Sequence, residues 1–164
     1  VKGLSFPAFK GNTIGCHIAV TEVDTKTGEM NILRYIAAHD AGKVINQAMV
    51  EGQIEGGTAL GIGYGTLEEM IFDKEGGVVN PNLADYKLPT ALDVPEVETV
   101  LCEIPSHYGP FGAKGVSEST MAPTAAAIAN SIFNATGMRI RSTPITREKI
   151  FWALNPSNSG NLPL

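Results

Sequence analysis

The sequence predicts an α+β domain: a mixed β-sheet with a long glycine-rich helix and a second helix packed on it. Three observations lead there. Residues 14–38 alternate as a hairpin, residues 47–71 carry a helical period, and residues 123–136 form a second, alanine-rich helical stretch. Strands and helices are mixed along the chain, which favours a mixed sheet over a purely parallel one. Residues 1–154 read as one domain and 155–164 as a polar tail that frays.

The first strand covers 14–24 (IGCHIAVTEVD). TKTG follows, with Gly28 able to take the positive φ that closes a hairpin, and 29–38 (EMNILRYIAA) returns. Residues 39–46 (HDAGKVIN) turn out of it. The helix over 47–71 repeats Met49, Gly56, Leu60, Gly63, Leu67 and Met70 at steps of three, four or seven. It also holds six glycines, at 52, 56, 57, 61, 63 and 65. Each costs about 1 kcal/mol against Ala inside a helix, and the sum rivals the net stability of a small domain. Something must offset that cost. Either another backbone packs closely on the helix, or a bulky ligand approaches it.

DKEGG, 73–77, reads as a turn and 78–95 as a long connecting loop with three prolines. A third strand is expected over 97–104, with Val97, Leu101 and Cys102 as its apolar residues. Pro123 suits the first turn of the helix at 123–136 and Gly137 its stop. MRIRS, 138–142, reads as a short strand. Residues 146–154 read as a closing helix with Thr146 as N-cap.

Composition narrows the function. With 43% hydrophobic and 18% charged residues, the 164-residue chain is globular. Its net charge of −5 argues against nucleic-acid binding, and no apolar run reaches the ~20 residues of a membrane span. Cys16 and Cys102 read as two buried thiols, too few for an iron–sulfur cluster. A chain that begins at Val1 is expected to be processed or part of a longer one.

The chemistry concentrates in GPFGAKGVSEST, 109–120. Gly109, Gly112 and Gly115 allow sharp turns that present backbone N–H groups, as an anion or oxyanion cradle does. Lys114 adds a positive charge. Glu118 follows just ahead of a helix, where a partly buried carboxylate suits a general base; it is equally suited to be a polar residue on a surface loop. The spacing is not that of a nucleotide P-loop, and GIGYG at 61–65 lies inside a helix, not after a strand. His17, His39 and His107 lack metal-ligand spacing and are expected at the surface or in loops. Glu68 and Glu69 are expected on a solvated face at the end of the glycine helix.

GPFGAKGVSE, 109–118, resembles the segment that carries the active-site glutamate in the xanthine dehydrogenase/aldehyde oxidase family of molybdenum hydroxylases. AHDAGKVINQAMVEGQIEGGTALGIGYGTLEEM, 38–70, is similar to that family's glycine-rich helix, which runs close to molybdopterin. The order of the pieces matches over nearly the whole chain.

The resemblance implies the C-terminal part of a molybdopterin-binding subunit that hydroxylates an N-heterocycle (xanthine-, purine- or nicotinate-like) or an aldehyde. It implies that Glu118 is the base acting on a hydroxyl carried by molybdenum. The metal is held through the pterin dithiolene and by no side chain of this chain. Gln53 would bond the pterin, and Gly112, Lys114, Gly115, Val116 and Ser117 would offer loop backbone groups near the metal oxygens. Tyr108 and Phe111 would line a substrate entrance. The cofactor would be molybdopterin or its cytosine dinucleotide form, with iron–sulfur clusters and FAD on other domains or subunits. Partners would be the rest of the molybdenum subunit, the iron–sulfur and flavin parts and a small-molecule substrate, in the cytoplasm. Ser117 departs from the Gly that many members have there. A phosphate-binding domain and a non-catalytic scaffold of the same fold are the alternatives.

Overall fold

The computed structural model describes residues 12–156. β1 (Ile14–Val23) and β2 (Met30–Asp40) form the expected antiparallel hairpin. Gly28 closes it at φ 75°, its N–H donating to the Asp24 carbonyl at 2.8 Å. A Cβ on Gly28 would lie 2.4 Å from the Arg147 carbonyl, so glycine also lets the closing helix dock on this turn. β3 (Val97–Cys102) pairs parallel to β2, giving a mixed sheet in the order β1-β2-β3.

Between β2 and β3 runs α1 (Gln47–Thr66), with the Asn46 side chain accepting the Met49 N–H at 3.1 Å. It is shorter than the expected 47–71, and a tertiary contact accounts for its end. The Gly65 carbonyl takes the Ile145 N–H at 2.7 Å where a continuing helix would place the Glu69 N–H. Beyond it the Asn80 side chain takes over, accepting the Ile71 N–H and donating to the Glu69 carbonyl. Glu68 and Glu69 therefore lie past the helix, and Glu68 accepts the Tyr86 hydroxyl at 2.8 Å. The expected stripe is also displaced. Met49, Gly56, Leu60, Leu67 and Met70 are exposed, and of the expected stripe Gly63 alone joins Ile54, Thr58, Gly61, Ile62 and Gly65 on the buried face.

α3 (Thr124–Thr136) begins after Pro123 and stops at Gly137, φ 74°, as expected. A one-turn helix that the sequence did not signal, α2 (Glu118–Met121), precedes it. α4 (Arg147–Leu154) is capped by Thr146, whose hydroxyl accepts the Lys149 N–H. The expected strand at 138–142 is absent. Ile140 and Ile145 instead insert into the core as loop residues, and Pro144 offers no N–H for a ladder. Of the tail expected at 155–164, Asn155 caps α4, and 157–164 lie outside the described residues.

One sheet face packs under α1 and α3 on a core that includes Tyr35, Ile54, Ile62, Ile128 and Ile132. The other face leaves Ile14, Ile18, Val20, Leu33 and Val100 exposed. Strand alternation puts Cys16 and Cys102 among them, exposed and free, contrary to the expected burial. β2 lies between their strands, a separation of ~10 Å, which is beyond disulfide reach.

The same alternation turns His17 and His39 inward, correcting their expected place at the surface or in loops. Their Nε2 atoms lie 2.7 Å apart, and His17 Nδ1 is 2.8 Å from the Tyr35 hydroxyl. His39 Nδ1 is buried with no hydrogen-bond partner among the described residues. Burial, then the neighbouring His39, holds His17 down to about 4, and burial lowers His39 too. A depressed histidine stays neutral in the fold while the unfolded chain takes up a proton below the ordinary histidine value of 6.5. Stability is therefore full above that value, falls as the pH drops through it, and levels off near 4. We expect the urea midpoint to decline across this window and His17→Gln to flatten the decline. An unchanged decline in the variant would rule out the histidine pair as its source.

Candidate functional site

The glycines of α1 divide into two sets. Gly57, Gly61 and Gly65 recur every fourth residue along the seam with α2 and α3. A Cβ on Gly57 would lie 1.8 Å from Thr120 Oγ1, and one on Gly61 would lie 2.4 Å from Thr124 Cβ. Gly63 is similarly closed by Glu68 and Pro89. These positions answer to close packing. Gly52 and Gly56 differ: they are exposed, and a Cβ on either meets nothing within 4 Å. The packing of the described residues does not require glycine there.

Those two open glycines face a cleft of about 450 Å³ between α1 and α2. Gln53 projects from the α1 wall, and Ser117 and Glu118 form the opposite rim with Met121. Glu118 is exposed to the cleft, not partly buried, and its carboxylate makes no hydrogen bond or ion pair with another described residue.

The loop leading to Glu118 is held firmly at its start. Gly112, φ 83°, accepts the N–H groups of Lys43 (2.9 Å) and Ser106 (2.8 Å) at its carbonyl. Gly42 pairs with Ala113, and the Lys114 N–H donates to the Ala41 carbonyl at 2.9 Å. The Gly112 N–H goes to Gly109. The backbone donors of Gly112 and Lys114 are thus used within the chain. Those of Gly115, Val116 and Ser117 have no acceptor among the described residues. Val116 packs its side chain against the core, fixing the direction of this run.

Lys114 does not offer its charge to the cleft. Its ammonium is buried against Asp40, Nζ to Oδ2 2.5 Å. Burial would raise the Asp40 carboxyl. The hydrogen bond from Lys114, those from the Gly42 and Ile104 amides, and the Lys114 charge outweigh it and hold the group below the usual carboxylate range. An ammonium committed to a carboxylate is a poor phosphate ligand, which counts against the phosphate-binding alternative. Among the described residues no cluster of three or more His, Cys, Asp or Glu is placed to hold a metal.

Tyr108 and Phe111 stand on the same loop but do not line the cleft. Both are exposed, Phe111 at 89% in the left-handed region (φ 53°). His107 is an exposed loop residue, as expected. Sequence reading singled out Gln53, Ser117 and Glu118, which the fold brings to one cleft. It missed Asp40. The only signal was its place in the HDAG turn, two residues before a glycine at φ 64°.

Comparison with known proteins gives a consistent answer. The family model described as the molybdopterin cofactor-binding domain matches residues 2–95, which include α1 and end before the Glu118 loop. The chain is 40% identical to the xanthine dehydrogenase molybdenum-binding subunit of Escherichia coli O157:H7 over 146 residues, 88% of this chain and 19% of that one. It is 34% identical to an E. coli K12 aldehyde oxidoreductase molybdenum-binding subunit, covering 87% of this chain and 20% of that one. The crystal structure of quinoline 2-oxidoreductase from Pseudomonas putida 86 superposes with a TM-score of 0.80 at 40% identity, covering 86% of this chain and 18% of that one. The chain spans about a fifth of the length of these relatives.

Proposed function

Because this chain belongs to the molybdopterin cofactor-binding family of molybdenum hydroxylase subunits, we propose that it forms one wall of the cofactor site of such an oxidoreductase. The reaction proposed is hydroxylation of an N-heterocycle, purine- or nicotinate-like, or of an aldehyde. The observation that carries the reading is the cleft. Gly52 and Gly56, on the same wall as Gln53, leave room that no described residue uses, and Ser117 and Glu118 face them at the end of a run of three unpaired amides.

These residues fit a pterin. Open glycines admit a flat, bulky group, the Gln53 amide can both donate and accept, and the N–H groups of Gly115, Val116 and Ser117 suit oxygen acceptors. When bound, the molybdenum–pterin group supplies the two-electron redox change at the substrate carbon. Glu118 takes up a proton at its carboxylate, which no hydrogen bond or ion pair from a described residue occupies. Gly112 and Lys114 hold the loop from behind. Tyr108 and Phe111 are proposed to meet the substrate at the entrance. The cofactor is molybdopterin or its cytosine dinucleotide form. The remainder of the molybdenum subunit completes the site, and iron–sulfur and flavin domains or subunits take the electrons. Among the described residues no helix is long and apolar enough to cross a membrane.

The test is elemental and pterin analysis of the natural complex purified with its accompanying subunits. About one molybdenum and one pterin per copy of this chain is the expected result, with purines, nicotinate and aldehydes as first substrates. A well-folded complex with neither would leave a scaffold role.

A further inference from the structure

We infer that Asp40 is the positioning residue of the Glu118 loop, an inference that rests on the reading of Glu118 as the acting base. Asp40 ends β2 with its side chain 7% exposed. Its Oδ2 accepts the Lys114 ammonium, and its Oδ1 accepts the Gly42 N–H at 2.9 Å and the Ile104 N–H at 3.2 Å. One carboxylate thereby joins the turn after β2, the exit of β3 and the loop that carries Glu118.

A second tie leaves the same residue by its backbone. The Asp40 carbonyl accepts the Thr13 hydroxyl at 3.2 Å, and Thr13 Oγ1 lies 3.5 Å from the hydroxyl of Ser119. Lys114 and Ser119 bracket the run 115–118, so both ends of the segment holding Glu118 and the three unpaired amides are referred to Asp40. The Lys114–Asp40 pair is nearly dry, with Lys114 11% exposed. Such a pair constrains position because breaking it strands a buried charge. Asp40 does not line the Glu118 cleft and acts through Lys114 and Ser119.

The test is Asp40→Asn in the assembled, cofactor-loaded enzyme, with Glu118→Gln and the double variant beside it. A 1 Å misplacement of a catalytic group costs about 10²-fold, so kcat is expected to fall by about that factor with KM little changed. If Asp40 works through Glu118, adding Asp40→Asn to Glu118→Gln slows the enzyme no further. Full multiplication of the two effects would overturn the inference.

Hydrogen exchange of the peptide covering 112–119 supplies a readout independent of activity. Asp40→Asn should speed exchange there about tenfold or more at unchanged molybdenum content. Unchanged exchange overturns the positioning role, whatever Glu118 does. Normal turnover of Glu118→Gln with faster exchange in Asp40→Asn sinks the base reading and the role that rests on it, leaving only a loop clamp. Should Asp40→Asn fail to fold, Thr13→Val removes the second tie without stranding a charge. It must then speed exchange at Thr120 and Ala122, whose N–H groups bond the Ser117 and Glu118 carbonyls, and no change would overturn the inference.

Discussion

Glu118→Gln in the assembled enzyme is expected to lower kcat by roughly 10²–10⁴-fold, the usual contribution of a positioned acid or base. Stability should be unchanged. Glu118 is exposed on the cleft rim, and its carboxylate bonds to no described residue, so a neutral amide of the same shape removes nothing that holds the fold. The backbone anchors of the loop, at Gly112, Ala113 and Lys114, do not involve the Glu118 side chain. Molybdenum and pterin content should match the parent, which separates lost proton transfer from lost cofactor. Near-normal turnover at full cofactor content would return Glu118 to a polar loop residue.

The second large effect is a change of sign within one helix. Gly61→Ala should destabilise the protein by ~1–3 kcal/mol, because its Cβ would press into Thr124, a fully buried side chain. Gly56→Ala should instead leave the cofactor-free protein as stable or stabilise it by up to ~1 kcal/mol, since alanine favours the helix and its Cβ meets nothing. Molybdenum content of the assembled enzyme should fall in Gly56→Ala alone, if the open side of α1 takes the pterin. Thermal unfolding of the cofactor-free protein and metal analysis of the assembled enzyme check both halves. Equal destabilisation by the two substitutions would contradict the division of the glycines. Full molybdenum in Gly56→Ala would detach the open glycines from the cofactor.

That division shows how far the sequence reading reached. Six glycines in one helix demanded an explanation, and both close packing and ligand approach were in view. Only the fold could assign them, because the deciding neighbours, Thr120 and Thr124, lie more than 60 residues further along the chain. Lys114 is a similar case. As a sequence residue it was a free positive charge in a glycine loop. In the fold its ammonium is committed to Asp40, 74 residues earlier.

The sequence by itself determined the features whose causes are local. The hairpin turn at Gly28, the Thr146 cap of α4 and the Gly137 stop of α3 each depend on groups within a few residues, and each is as expected. The resemblance carried by 109–118 singles out Glu118 as the proposed base, while the residues alone leave it open between base and loop residue. Tertiary structure alone decided where α1 ends, because the Ile145 N–H takes the Gly65 carbonyl. It turned 138–142 into core-filling loop instead of strand, and it buried His17 against His39 while leaving both cysteines exposed. In each of these the competing hydrogen bond or packing partner comes from a distant part of the chain, and no local pattern of residues carries that information.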